Sequence, residues 1–119
     1  MNRPKIYVVP PEHIAKAWPS IETLDVVVPQ GKVDLLKEDI LKTVLSSVAS
    51  GAEELHVVID GGGNTVACFT TIETKDSGLL VRFIAGQDVP VWLGYIMRNI
   101  IELAGTRGLR YAKVISKAF

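Results

Sequence analysis

The side chains able to carry chemistry in this sequence are one cysteine, Cys68, two histidines, His13 and His56, and carboxylates spread along the chain, among them Glu22, Glu53, Glu54, Asp60, Glu73 and Glu102. A nucleophilic thiol needs a neighbouring base and an electropositive setting. Cys68 instead lies in TVACFTTI (65–72), a run of strand character, which makes it a small buried hydrophobe. His56 alternates with Leu55 and Val57 on another such run and is expected at the surface or the core edge, without a chemical role. His13 follows Pro10-Pro11-Glu12 near a helix start. Histidines this far apart, with a single cysteine, make no metal-ligand spacing. The carboxylates are expected to be solvated.

Gly61-Gly62-Gly63 follows a strand, as a phosphate loop would, but runs into another strand and lacks a following Lys-Ser/Thr. It reads as a hairpin tip. Trp18 and Trp92 are expected to anchor the core. Arg98, Arg107 and Arg110 crowd one helix and its exit, where cations complement the helix dipole; contact with an acidic partner is the alternative.

The elements that must position these residues follow from periodicity and turn chemistry. KIYVV (5–9), closed by Pro10-Pro11, predicts a first strand. Residues 12–24 carry helical spacing that Pro19 should break or restart after Trp18, and 25–29 form an extended link. Residues 32–50 are the clearest helix, with Val33, Leu36, Ile40, Leu41, Val44, Leu45 and Val48 on one stripe and Gly51 as its stop. Residues 55–60, 65–73 and 79–85 predict an antiparallel meander, 91–104 a third helix, and 109–115 a last strand. The order β-α-α-β-β-β-α-β requires a parallel final pairing, and so an α+β (mixed-sheet α/β) domain with helices on both faces.

The junction between the fourth strand and the third helix is where such folds hold anions, on helix N-terminal amides. Here it reads Ala85-Gly86-Gln87-Asp88-Val89-Pro90, with no glycine series and no base. Pro90 removes an amide donor, and Asp88 is placed to cap the helix and repel a phosphate. One such charge pair at about 4 Å costs about 4 kcal/mol at an effective dielectric of 20.

At 119 residues, 48% hydrophobic and 22% charged, the chain is expected to be a single domain, 1–119. Thirteen basic residues balance thirteen acidic ones, which disfavours nucleic acid and anionic membranes as partners. The lone cysteine suits a reducing, cytoplasmic compartment, and no apolar run is long enough for a membrane span.

Ala17-Trp18-Pro19-Ser20-Ile21, the long second helix ending at Gly51, the central strand Val66–Thr71, Gly86 after the fourth strand and Trp92 opening the third helix together resemble the GNAT (Gcn5-related N-acetyltransferase) superfamily. Small GNAT-like proteins of tailed bacteriophages are the nearer likeness. In active members the fourth strand enters an Arg/Gln-x-x-Gly-x-Gly/Ala loop that holds the pyrophosphate of acetyl-CoA. That loop falls on residues 85–91, where only Gly86 has a counterpart. The sequence also stops after the fifth strand, where the superfamily normally adds another helix and a hairpin. The resemblance therefore implies a degenerate scaffold: a non-catalytic structural or interaction protein, plausibly of a phage virion or its assembly, without cofactor or catalytic residue, and joined to other proteins in a homo- or hetero-oligomer. The alternative it implies is an acetyl-CoA-dependent N-acetyltransferase. The cofactor would then lie against Gly86, Gln87, Val91 and Trp92, and Glu73 or Asp60 would be the first bases to test.

Overall fold

The computed structural model describes residues 5–24, 37–86 and 89–114, with residues 37–40 and 89–91 described in backbone only. Its elements are β1 (Lys5–Val9), a 3-10 turn (Pro11–His13), α1 (Ile14–Glu22), α2 (Lys37–Ala49), β2 (Glu54–Ile59), β3 (Thr65–Glu73), β4 (Gly78–Gly86), α3 (Val89–Thr106) and β5 (Tyr111–Val114). The strands form one sheet in the order β1-β2-β3-β4-β5, antiparallel except for the parallel β4–β5 pair. This is the element order and sheet expected from the sequence.

Each face of the sheet buries its own core. On one side Ile14, Trp18 and Ile21 of α1 and Leu41, Val44 and Val48 of α2 pack on Leu55, Val57, Cys68, Phe83 and Ala85. On the other, Ile96, Ile100 and Ala104 of α3 pack on Val58, Ala67, Phe69, Leu79, Val81 and Ile84. Alternate residues of β2, β3 and β4 thus face opposite helical layers, which is why these strands read as nearly continuous apolar runs. Cys68 is fully buried, and burial pushes its thiol up to about 12, as befits an inert hydrophobe.

Pro19 does not break α1, contrary to expectation: the helix continues through it to Glu22. Trp18, Ile21 and Leu24 are buried on either side of the proline, and the last turn closes with Leu24 N–H donating to the Ile21 carbonyl at 3.0 Å. Tertiary burial outweighs the one lost backbone bond in so short a helix. The expected link at 25–29 and the first residues of the second helix lie outside the described residues.

Both long helices end alike. Gly51 and Gly108 adopt φ of 82° and 70°, a left-handed conformation that glycine takes without a Cβ penalty. After α2, Gly51 N–H donates to Val48 O (3.2 Å) and Ala52 N–H to Ser47 O (3.0 Å). After α3, Gly108 N–H donates to Gly105 O (3.1 Å) and Leu109 N–H to Ala104 O (2.8 Å). These are Schellman closures. The Gly61–Gly63 segment is a hairpin tip as expected, held by Asp60 Oδ1 accepting from the Gly62 and Asn64 amides, both at 2.9 Å.

Candidate functional site at the β4 bulge and the start of α3

The register of β4 slips once. Thr70 pairs with Phe83 but Thr71 pairs with Val81, leaving Arg82 as an extra residue, a β-bulge. Bulges re-aim side chains and interrupt pairing, and they gather near active sites. The described β5 pairing stops at Val81↔Val114, the residue before the bulge, while β4 runs on to Gly86. From Arg82 onward β4 is paired on its β3 side, with no described β5 residue on the other. α3 starts at Val89, so a helix N-terminus stands just past the end of this strand.

Beside the bulge is a polar group set into an otherwise apolar layer. Glu53 is 8% exposed, and its Oε1 accepts from the Thr70 hydroxyl at 3.2 Å. Arg82 Nε lies 3.8 Å from the same oxygen, with the Arg82 side chain half exposed at 52%. A buried carboxylate costs free energy unless it is paired, so this trio is unusual for a purely structural layer. Glu53 was expected to be a solvated carboxylate, and that expectation is corrected. Glu53 reads as surface because its burial comes from α2 and β3 folding over it, contacts without a local signature. Arg82 had one legible signal, the single charge in LLVRFIAG, but the bulge itself did not.

The junction residues fall as follows. Gly86 pairs with Ala67, and a Cβ there would meet Ala67 Cβ at 2.8 Å and Val66 O at 2.9 Å; sheet packing alone accounts for this glycine. Gln87 and Asp88 lie outside the described residues. Pro90 and Val91 are in the first turn of α3, where proline costs the helix nothing because that amide has no partner. Trp92 is half-buried against the α3-side core, an anchor as expected.

The two acids proposed for first tests are at opposite ends of the sheet. Asp60 is at the β2–β3 turn, and the Asn64 and Gly62 amides hold its carboxyl below the ordinary value. Glu73 ends β3, where its Oε1 receives Arg107 Nη1 at 3.2 Å. Neither approaches the bulge as Glu53 does.

His56 is also corrected: it is 1% exposed, on the α3 side of the sheet. Its ring stacks on Phe69 at 4.6 Å and its Nε2 is 2.9 Å from Thr71 Oγ1. Burial lowers its pKa to about 4, with Glu54 opposing and Arg107 adding to the shift, so it is neutral near pH 7. Arg107, expected to be a helix-end charge, ties the end of α3 to Glu54 (Nη2 to Oε1, 2.7 Å) and Glu73. Among the described residues no group of histidines, cysteines and carboxylates is arranged to hold a metal.

No protein-family profile and no curated protein sequence matches the chain. Solved structures do. An IAA acetyltransferase from Bacillus cereus aligns at TM-score 0.59 and 18% identity, over 93% of this chain and 64% of that one. A structure described as a probable acetyltransferase aligns at 0.67 and 9%, over 94% and 78%. A Bacillus subtilis acetyltransferase in complex with CoA aligns at 0.53 and 14%, over 96% and 64%. A spermidine N-acetyltransferase from Vibrio cholerae, which is a dodecamer, has the same fold. The chain thus has a GNAT-like fold, and it spans 64% of the length of the Bacillus proteins.

These likenesses correct the expectation of a non-catalytic structural or interaction protein of a phage virion. The structures sharing the fold are acetyltransferases, which favours the acetyl-CoA-dependent alternative. The expected absence of a cofactor has no support either, since one of these structures holds CoA. No described helix is long and apolar enough to cross a membrane.

Proposed function

We propose that the chain is an acetyl-CoA-dependent N-acetyltransferase, working at the β4 bulge. The observation that carries this reading is β4 itself: it bulges at Arg82, outruns its described pairing with β5, and leads to the start of α3. The strand backbone between Arg82 and Gly86, which no described residue of β5 pairs, suits an amide-containing arm lying along it, as an added strand would. The α3 amides beyond it are the phosphate donors in this reading, with Pro90 contributing none and Asp88, expected to oppose a phosphate, outside the described residues. These residues fit the cofactor, which when bound supplies a thioester acyl group.

Acyl transfer from a thioester forms a C–N bond to an amine and breaks the C–S bond; the amine must lose a proton and the thiolate gain one. Glu53 is the carboxylate beside the bulge and takes the proton in this reading, with the Thr70 hydroxyl orienting it. Arg82 balances its charge and reaches solvent at the mouth of the site. The dodecameric spermidine N-acetyltransferase of the same fold supports an oligomeric working state in this reading.

Acetyl-CoA binding tests the proposal. At a hundredfold excess over Kd the ligand should stabilise the protein by about 2.7 kcal/mol in a thermal or urea titration. Glu53→Gln should keep that stabilisation while slowing acetylation of an amine panel by about a hundredfold or more. A flat melting temperature at millimolar acetyl-CoA would overturn the reading.

A further inference from the structure

Glu53 and Arg82 stand close without being closed on each other. Arg82 Nε is 3.8 Å from Glu53 Oε1, beyond hydrogen-bond reach, and the donor this oxygen keeps is the Thr70 hydroxyl at 3.2 Å. Among the described residues nothing accepts from the terminal nitrogens of Arg82. Glu53 is buried, whereas the Arg82 side chain is half exposed. The two charges therefore follow one line of approach, with the carboxylate inside and the guanidinium at the mouth. The planar guanidinium fork matches a carboxylate. The pair carries no net charge, so it offers a polycation little attraction, and it complements a zwitterion group for group.

An apolar surface adjoins the pair. Ile72 and Leu80 sit opposite each other across β3 and β4, with Thr70 two residues before Ile72 and Arg82 two residues after Leu80. Strand alternation sets them on the face that carries Thr70. Both are half-buried, and neither belongs to the described core on either side of the sheet. Apolar surface beside two ordered charges suits a ligand with an apolar body and two charged ends.

Building on the transferase reading, we propose that the acceptor is an apolar α-amino acid. Its ammonium group meets the Glu53 carboxylate, its own carboxylate takes the Arg82 guanidinium, and its side chain lies on Ile72 and Leu80. A single carbon separates the two charged ends of such a molecule, which suits partners held 3.8 Å apart. The ammonium hands a proton to Glu53, which frees the nitrogen lone pair to react. Arg82 is then the residue that selects the acceptor.

The test compares L-leucine with L-leucinamide, which has a neutral amide in place of the carboxylate. The amide carries the less basic amine, so a preference for the acid cannot come from amine pKa. In kcat/KM for acetylation, leucine should exceed leucinamide by about tenfold or more, and glycine, without the side chain, should fall below leucine by a similar factor. Arg82→Gln should bring the leucine-to-leucinamide ratio close to one, and Arg82→Lys should keep part of it. These are ratios within one variant, so a general loss of folding does not mimic them. A second readout needs no turnover. With free CoA present, amide NMR shifts at Thr70 and Arg82 should saturate on titration with leucine and stay in place with leucinamide. Equal rates for leucine and leucinamide, or a ratio that Arg82→Gln leaves intact, would overturn the proposal and leave the transferase reading standing. Glycine acetylated as well as leucine would remove the apolar side chain from it. Saturating leucine shifts in a chain whose melting temperature acetyl-CoA does not move would sink the transferase reading and support the zwitterion site.

Discussion

Gly86 has almost no room for a side chain, because Ala67 Cα and the Val66 carbonyl oxygen stand only 3.0 and 2.9 Å from where a Cβ would go. Backbone cannot yield as a flexible side-chain tip can. Gly86→Ala should therefore cost about 1–3 kcal/mol in urea denaturation, with an unchanged m-value. His56 sets the pH response. Its pKa of about 4 in the folded chain, against 6.5 for an unperturbed histidine, means that the unfolded chain binds the proton more readily between those values. The stability gained by keeping it neutral is present above pH 6.5 and is lost as pH falls towards 4, by roughly 3 kcal/mol. His56→Phe, which keeps a ring on Phe69, should flatten that slope in urea titrations across this range. The strand around His56 was legible from alternation; its burial was not, since whether α3 covers that face is decided by residues forty and more positions away.

α3 is fastened at its far end by Arg107, whose guanidinium joins β2 and β3 through Glu54 and Glu73. Both acids are partly exposed, so solvent discounts the pairs. Arg107→Ala should lower stability by about 1 kcal/mol, and raised salt should shrink that difference. A much larger loss would mean that the guanidinium also holds α3 against the sheet. The element boundaries expected from sequence agree with the structure to within about two residues wherever both can be compared, as at β3, 65–73 in both. Turn chemistry and apolar periodicity are local signals, and they survive folding here. Pro19 is the exception: its local rule was outweighed by Trp18, Ile21 and Leu24 reaching one core.

Over the described residues the molecule is a sheet covered on both faces by helices. The centre of β2, β3 and β4 is buried on both sides, whereas β1 and β5 lie at the edges with half or more of their residues exposed. Hydrogen exchange should accordingly be slowest in residues 55–58, 67–71 and 81–85 and much faster in β1 and β5, measured by mass spectrometry of peptic fragments. Uniform protection across all five strands would contradict this gradation. The bulge and the start of α3 form the proposed acyl-transfer site, and Arg107 at the end of α3 meets Glu54 and Glu73. α3 spans the distance between them.

From its own residues the sequence determined the element order, the meander, the mixed sheet, the inert cysteine and the hairpin tip, because strand alternation, helical stripes and glycine stops act within a few neighbours; the GNAT-like fold was implied by resemblance. It also pointed to the β4–α3 junction and read Asp88 and Pro90 there as closure, a reading that falls on Asp88 outside the described residues. The tertiary structure alone decided that Arg82 bulges out of β4, that Glu53 is buried beneath it, and that Arg107 meets Glu54 and Glu73. Each of these depends on contacts between residues far apart in the chain, and pairing register and burial are properties of the assembled sheet.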